Sequence, residues 1–325
     1  MKFQASVPGS IMLMGEHAVL QGKRALVCAV NRHIFASLIP RNDCQVCIQS
    51  ALASCQFNLN QRSKFTSLKQ LKTLRFVLKT IQHFYEALPG GFELTITSDF
   101  SHHLGLGTSA AVTVATTTVL QQWLTSDKQP LDKMKVYRTA KKIVLAVQGV
   151  GSGADVAASV FGAVVVYQLD PLFIEQLICA PAPLILVYSG YKTPTVDVVA
   201  KVYASRLSRA LAMAELDEAI DQYTKFAIDA YNKSDWVTMG LLMNKHQQAL
   251  VSMGVSDATL NELIECLTAH TGVYGAKISG SGLGDCVVGL GHIPKNYFPV
   301  NAIQRKHGVL QIPIEVNPWG IQTII

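Results

Sequence analysis

The chain has 325 residues, of which 49% are hydrophobic, and its formal net charge is +6. This length and composition suffice for two domains with a substantial buried core, so they exclude a disordered chain and a small fold that depends on disulfides. The basic residues are dispersed, which favours a small phosphorylated substrate and predicts no nucleic-acid partner.

The seven cysteines form an odd set without a second metal-type pair. Cys44 and Cys47 have the spacing of metal ligands, but because they stand alone we predict reduced thiols and a cytoplasmic protein. The N-terminus has no apolar signal core, and no run of about 18 apolar residues suggests a membrane span. We therefore expect no membrane partner.

The first third of the chain is predicted to be rich in β-structure. Pro8, Gly9 and Ser10 should interrupt the first strand, and Asn31 and Arg32 have the composition of a hairpin turn. An apolar stripe at helical spacing then predicts a helix over residues 67–88. The predicted strands are 3–7, 11–14, 24–30, 33–38, 45–49 and 55–59.

The middle of the chain alternates strands, glycine loops and helices. We expect strands at 92–97 and 162–167, and helices at 108–123, 131–147 and 156–159. From residue 184 a strand is followed by helix-rich sequence, which suggests two domains, 1–185 and 186–325. The second domain is predicted to be α+β with split βαβ character. Its elements are a strand at 184–188, helices at 196–214, 217–233, 236–253 and 257–270, and strands at 273–279, 286–290 and, last, 309–316.

Residues 101–113 place a Gly-x-Gly turn between a strand and a helix N-terminus. Gly105 and Gly107 allow positive φ, while Thr108 and Ser109 lie where the first helical N–H groups have no partner within the helix. These groups together predict an anion site for phosphate. The alternative is an ordinary N-capped turn. The loop has neither the Lys of a Walker loop nor the third glycine of a Rossmann fingerprint.

Two further glycine-rich stretches follow, at residues 149–153 and 279–285. Asp155 follows the first of them. It is either a carboxylate that favours the first turn of a helix or a base held beside a substrate, and the local sequence alone favours the former.

The three loops, taken together and in this order, resemble the motifs of the GHMP kinases. PGSIMLMGEHAVL resembles the first motif, LGLGTSAA the second and AKISGSGLGDCVVGL the third. Within the family the mevalonate kinases are most similar, through GEHAV, SGADVAASVFG and SGYKTPTVDVVAKV. The resemblance implies a two-domain α+β architecture, with a β-rich, helix-covered N-terminal ATP-binding domain and a ferredoxin-like α+β C-terminal domain. Phosphomevalonate kinase and a non-catalytic ligand-binding homologue remain alternatives.

The resemblance implies a reaction that moves the γ-phosphoryl group of ATP, with Mg²⁺, to a primary alcohol. The similarity to mevalonate kinases makes mevalonate the expected alcohol. Asp155 occupies the position of the catalytic aspartate, and Lys192 is the candidate for an assisting cation. A homodimer is left open. The implied substrate-side residues are Ser10, Glu16, His17 and Thr195; the nucleotide residues are Leu104, Gly105, Leu106, Gly107, Thr108, Ser109, Ala110, Gly280, Ser281 and Gly282, with Ser109 also reaching the metal.

Five positions depart from the family pattern, and one of them is His103, which replaces a glycine of the second motif. Ser10 stands where a lysine is usual, and Val144 stands where mevalonate kinases have a glutamate that helps to hold Mg²⁺. Leu283 and Asp285 replace glycines of the third motif. Since Asp285 adds a negative charge beside a phosphate loop, we expect it either to face away or to hold metal.

Overall fold

The computed structural model describes residues 1–61, 72–101, 103–125 and 130–324. These residues form two mixed layers of strands and helices, one sheet of eight strands and one of four. The α+β fold class predicted from the sequence is confirmed. In the described residues, no helix is long and apolar enough to cross a membrane.

The larger sheet has the central order β12-β1-β2-β5-β3-β4, and β6 pairs with both β2 and β7. β1 and β2 form its long antiparallel centre. Its strands are β1 Phe3–Met14, β2 Arg24–Pro40, β3 Gln45–Ser50, β4 Ser54–Asn58, β5 Phe92–Ser98, β6 Val164–Gln168, β7 Phe173–Leu177 and β12 Gln322–Ile324.

Among the described residues, four helices cover this sheet and share one hydrophobic core with it. Leu78, Val114 and Tyr137 come from three of the helices, and they pack in the same cluster as Val7 of β1. The helices are α1 Arg75–Phe84, α2 Thr108–Thr125, α3 Lys133–Gln148 and α4 Ala154–Phe161. This layer places the N-termini of α2 and α4, with the glycine loops before them, near the start of the chain.

The smaller sheet has the order β11-β8-β10-β9. Alternate residues of β10 enter two different cores: Val288 joins a cluster shared with the first sheet, and Val287 joins a cluster with the C-terminal helices. The period of two in a strand thus lets one sheet bind both layers. Its elements are β8 Leu184–Tyr188, α5 Thr195–Ser208, α6 Ala210–Asn232, α7 Trp236–Met253, α8 Ala258–Thr268, β9 Val273–Ser279, β10 Cys286–Gly291, α9 Ala302–His307 and β11 Leu310–Ile312.

The hairpin predicted at Asn31 and Arg32 is wrong, because β2 continues through both residues. Pro8 pairs with His33 and Gly9 with Val30, so the two turn-like residues form an irregularity opposite the expected break in β1, which also continues. Asn31 is held there by Glu315, whose N–H donates to the Asn31 side chain at 2.9 Å. The side chain of Asn31 is thus hydrogen-bonded to a backbone group that is distant in the chain, and the chain does not reverse here.

Other boundaries also differ from the prediction. The break between α5 and α6 falls at Arg209 rather than near residue 215. The strand predicted last, 309–316, is only Leu310–Ile312, and β12 follows it and pairs with β1. β7 and α9 were not predicted. Of the helix predicted over 67–88, residues 67–71 lie outside the described residues, and the remainder is α1 with 3-10 turns at Lys72–Leu74 and Tyr85–Ala87.

Candidate active site

A cavity of about 910 Å³ lies where the three glycine loops meet. Thirteen of the predicted site residues line it, although they come from both halves of the chain. They are Ser10, Glu16, His17, Gly105, Gly107, Thr108, Ser109, Ala110, Asp155, Lys192, Thr195, Gly280 and Ser281.

Three predicted nucleotide residues do not line the cavity. Leu106 is fully buried in the core, and its carbonyl accepts a hydrogen bond from the Ser10 N–H at 3.1 Å. Leu104 packs against the same core. Gly282 faces the backbone of Val255, which a Cβ at this position would overlap. These residues shape the loops from behind the cavity wall.

The glycines of the second loop are required by protein neighbours. Gly105 and Gly107 have φ values of 63° and 62°. A Cβ on Gly107 would overlap the Ser10 hydroxyl, and one on Gly105 would lie 2.8 Å from Asp285 Oδ1. Gly280 differs, because it lines the cavity with φ 99° and no atom lies within 4 Å of an added Cβ. The open face for a close ligand is therefore at the third loop.

Asp155 lies in the first turn of α4 and is partly buried at the cavity wall. Ser10 Oγ donates a hydrogen bond to Asp155 Oδ1 at 3.2 Å. Burial raises the pKa of Asp155; the Ser10 hydrogen bond and the charge of Lys192 lower this pKa, and the carboxylates of Asp285 and Glu16 raise it. A raised pKa brings a carboxylate closer to the range useful for a general base.

Lys192 lies in the turn before α5, and its Nζ is 3.1 Å from Asp285 Oδ2. The lysine side chain is 38% exposed, whereas that of Asp285 is only 10% exposed. Burial raises the pKa of Asp285, and the Lys192 charge opposes that effect. The cation proposed from the sequence therefore reaches the cavity as part of an ion pair.

Glu16 is in a buried charge cluster between the two sheets. Its Oε1 accepts a hydrogen bond from Lys277 Nζ, and its Oε2 lies 3.6 Å from His246 Nε2. Lys277 and His246 are completely inaccessible to solvent. Burial, with the charge of Lys277, holds the pKa of His246 well below its ordinary value, so the imidazole is neutral.

His17 links the first motif to the third loop. Its backbone has φ 60°, and its Nε2 donates to the carbonyl of Ser281 at 2.8 Å. Burial lowers the pKa of His17, so the neutral ring is favoured. Thr195 begins α5 and is exposed at the cavity. The first motif is therefore held to the third loop by His17 and to β9 by the Glu16–Lys277 pair.

Comparison with known proteins assigns this arrangement to a family. The model of the GHMP kinases N terminal domain matches residues 75–163, and the GHMP kinases C terminal model matches residues 227–307. The mevalonate kinase of Pyrococcus furiosus is 30% identical, over 99% of this chain and 98% of its own. The chain belongs to the GHMP kinase family. It is therefore an ATP-dependent small-molecule kinase.

Two further comparisons agree with this membership. The mevalonate kinase of Archaeoglobus fulgidus is 31% identical over 94% of this chain and 98% of its own. The crystal structure of the Methanococcus jannaschii mevalonate kinase superposes with a TM-score of 0.79 at 19% identity, covering 97% of this chain and 98% of that one. At that identity the superposition shows a shared GHMP kinase fold.

The departures from the GHMP kinase pattern meet around the same cavity. Val144, Ser10 and Asp285 all line it. Leu283 and Asp285 have positive φ values of 53° and 64°, a backbone region that glycine adopts most readily. Within the described ranges, no three His, Cys, Asp or Glu side chains cluster in a way that would hold a metal ion.

Neither Lys277 nor His246 was predicted from the sequence, although both lie beside Glu16. A signal for Lys277 did exist: it lies between apolar Ala276 and Ile278 in a strand that is buried on both faces, where a charge requires a partner. His246 carries no such signal, because its role depends on Glu16, which is remote in the chain.

Proposed function

We propose that this chain transfers the γ-phosphoryl group of ATP to the primary alcohol of mevalonate, which yields 5-phosphomevalonate for isoprenoid precursor synthesis. The observation that carries the proposal is Asp155, partly buried with a raised pKa, in a cavity where the three glycine loops meet. The mevalonate kinases among the relatives support this substrate.

In the proposed reaction, the alcohol oxygen forms a bond to the γ-phosphorus while the bond to the β,γ-bridging oxygen breaks and ADP leaves. Asp155 receives the alcohol proton. Lys192 supplies positive charge to the transferring group, and Glu16, His17 and Thr195 contact the acceptor. The second and third glycine loops hold the phosphates.

Mg²⁺ is part of this proposal, and the donor chemistry of the cavity fits it. Mg²⁺ in nucleotide sites is held by one or two protein oxygens together with substrate phosphates, so a full protein cage is not required. The Ser109 hydroxyl, which lines the cavity, is the protein oxygen we assign to it. Bound Mg²⁺ would neutralise charge on the phosphates.

We also propose that the ATP-binding domain spans residues 1–185 and the second domain residues 186–325. The separate sheets support this division, although β12 returns to pair with β1. A cytoplasmic location is proposed on the basis of the cysteine composition.

The test is ADP release by the wild-type protein with mevalonate, phosphomevalonate, homoserine and galactose as acceptors. We expect mevalonate to have the highest kcat/KM, and Asp155→Asn to lower kcat by about 10²-fold or more while affinity for a non-hydrolysable ATP analogue stays nearly unchanged. Asp229→Asn, an exposed carboxylate on α6, is the matched control.

Preference for phosphomevalonate would overturn the substrate assignment. Absence of ADP release with every acceptor would point to a ligand-binding homologue. An Asp155→Asn variant with turnover within a few-fold of wild type would remove the base from Asp155.

A further inference from the structure

Asp285 and Lys192 form a pair that no local motif predicts. Asp285 lies in the third loop, between β9 and β10, and Lys192 in the turn between β8 and α5; their charged groups meet at 3.1 Å. Both line the cavity that also contains Asp155. The position of Asp285 is one where the family motif has glycine.

The backbone also fixes these two segments to each other. The Asp285 N–H donates to the carbonyl of Tyr191 at 2.9 Å, and the Ser189 N–H donates to the carbonyl of Asp285 at 2.8 Å. The turn that carries Lys192 is therefore hydrogen-bonded to Asp285 on both sides of its main chain. Backbone and side chain together restrict where the ammonium group can go.

Asp285 occupies an unfavourable position by itself. Its φ of 64° is rare for a residue other than glycine, and its carboxylate is mostly buried. Gly105 packs so closely against the Asp285 carboxylate that a Cβ on Gly105 would not fit. Asp285 Oδ1 has no hydrogen-bond partner among the described residues. Because a buried charge requires compensation, Lys192 is the cation that makes this carboxylate tolerable here.

The pair acts in the surroundings of Asp155. Ser10, which replaces the usual lysine of the first motif, can give Asp155 only a neutral hydrogen bond. Lys192 is close enough for its charge to lower the pKa of Asp155. Positive charge at the base thus comes from the second half of the chain instead of from β1.

We propose that Asp285 is a positioning residue that holds the Lys192 ammonium beside Asp155, and that this pair replaces the lysine missing at position 10. The inference rests on the proposed phosphoryl transfer. The absence of the motif lysine at position 10 and the presence of Asp285 where the motif has glycine then have a single explanation.

The kinetic test compares Asp285→Gly, Lys192→Met and the combined variant. Each is made in two backgrounds, one with the native Ser10 and one with Ser10→Lys. Glycine fits φ 64° and restores the family residue, so a loss of activity cannot be attributed to strain. We expect each single variant to lower kcat by about tenfold or more with little change in KM for ATP. The combined variant should be no slower than the slower single variant, and Ser10→Lys should restore part of kcat in each.

A second measurement is independent of activity. Lys192 should be acylated by acetic anhydride at least about twofold faster in Asp285→Gly and Asp285→Asn than in wild type, because the ion pair shields the amine. Labelling of Lys201, an exposed lysine on α5, should not change, and Asp229→Asn is the matched carboxylate control.

Wild-type kcat in Asp285→Gly, multiplicative losses in the combined variant, or unchanged labelling of Lys192 would each overturn the positioning role. Failure of Ser10→Lys to restore kcat would overturn the replacement of the family lysine. If the wild-type protein phosphorylates none of the acceptors, the proposed function fails, and the labelling result still decides whether Asp285 holds Lys192.

Discussion

At the scale of single residues, the site depends on charges brought close to Asp155. Burial acts against the ionised carboxylate, while the Ser10 hydroxyl and the Lys192 ammonium act for it. The carboxylates of Asp285 and Glu16 also influence Asp155, and both oppose its ionisation. The balance of these effects decides in which pH range Asp155 can accept a proton.

This balance predicts the pH dependence of kcat/KM. A carboxylate base works when ionised, so activity should be lost as the pH falls through the pKa of Asp155. Since burial raises that pKa, the acid limb should lie at higher pH than for an exposed aspartate. Lys192→Met removes a charge that lowers the pKa, so its acid limb should move to still higher pH. Profiles at saturating ATP check this shift, and an unmoved limb or one at lower pH contradicts it.

At the scale of elements, the second glycine loop fits closely against β1. Ser10 lies on β1, its N–H is bonded to Leu106, and its hydroxyl occupies the space beside Gly107. The loop between β5 and α2 is therefore positioned by contact with a strand. The requirement for glycine at residue 107 comes from Ser10 as well as from the backbone conformation.

A double-mutant cycle separates these two causes. Gly107→Ala should lower the free energy of unfolding by more than the ~1–2 kcal/mol that left-handed backbone costs, because the new methyl group overlaps Ser10 Oγ. Ser10→Ala should remove part of that loss, so the two changes should couple favourably in urea denaturation.

Gly280→Ala is the control for this cycle, since Gly280 has positive φ but open space around a Cβ. Its cost should be that of backbone strain alone, with or without Ser10→Ala. Equal losses for Gly107→Ala in both backgrounds would show that Ser10 does not restrict the loop.

At the scale of the whole molecule, buried polar groups connect the two sheets. Ser279 of β9 both donates to and accepts from the backbone of Met12 in β1, at 3.0 and 3.1 Å. Lys277 of the same strand pairs with Glu16, which follows β1. The cavity is therefore enclosed by two layers whose contact includes a completely buried ion pair.

Breaking that pair should destabilise the whole fold. Lys277→Met leaves the Glu16 carboxylate buried and unpaired, so we expect it to lower the free energy of unfolding by about 3–5 kcal/mol. The combined Glu16→Gln and Lys277→Met variant should lose less, because no charge is left without a partner. Urea unfolding measures both, with exposed Lys201→Met as the control. A Lys277→Met protein as stable as wild type would show that Glu16 is neutralised in another way.

The amino-acid sequence by itself was sufficient to predict the family, the α+β class and most elements. Gly105, Gly107 and Gly280 mark turns, and Asp155 follows a glycine run that begins a helix; these are local features, encoded within a few residues. The periodicity of apolar residues likewise reports burial along a single segment. For this reason α7, β9 and the three loops could be predicted without a structure.

Tertiary structure alone decided which distant residues meet. Asn31 lies in a continuous strand, where its side chain is hydrogen-bonded to Glu315. That partner is 284 residues away, so no local pattern contains this information. The pairs Lys192–Asp285 and Glu16–Lys277 likewise join separate segments of the chain. The physical reason is that turn chemistry and hydrophobic periodicity act along the backbone, whereas a buried charge is stabilised by whichever group the packing of the two layers places beside it.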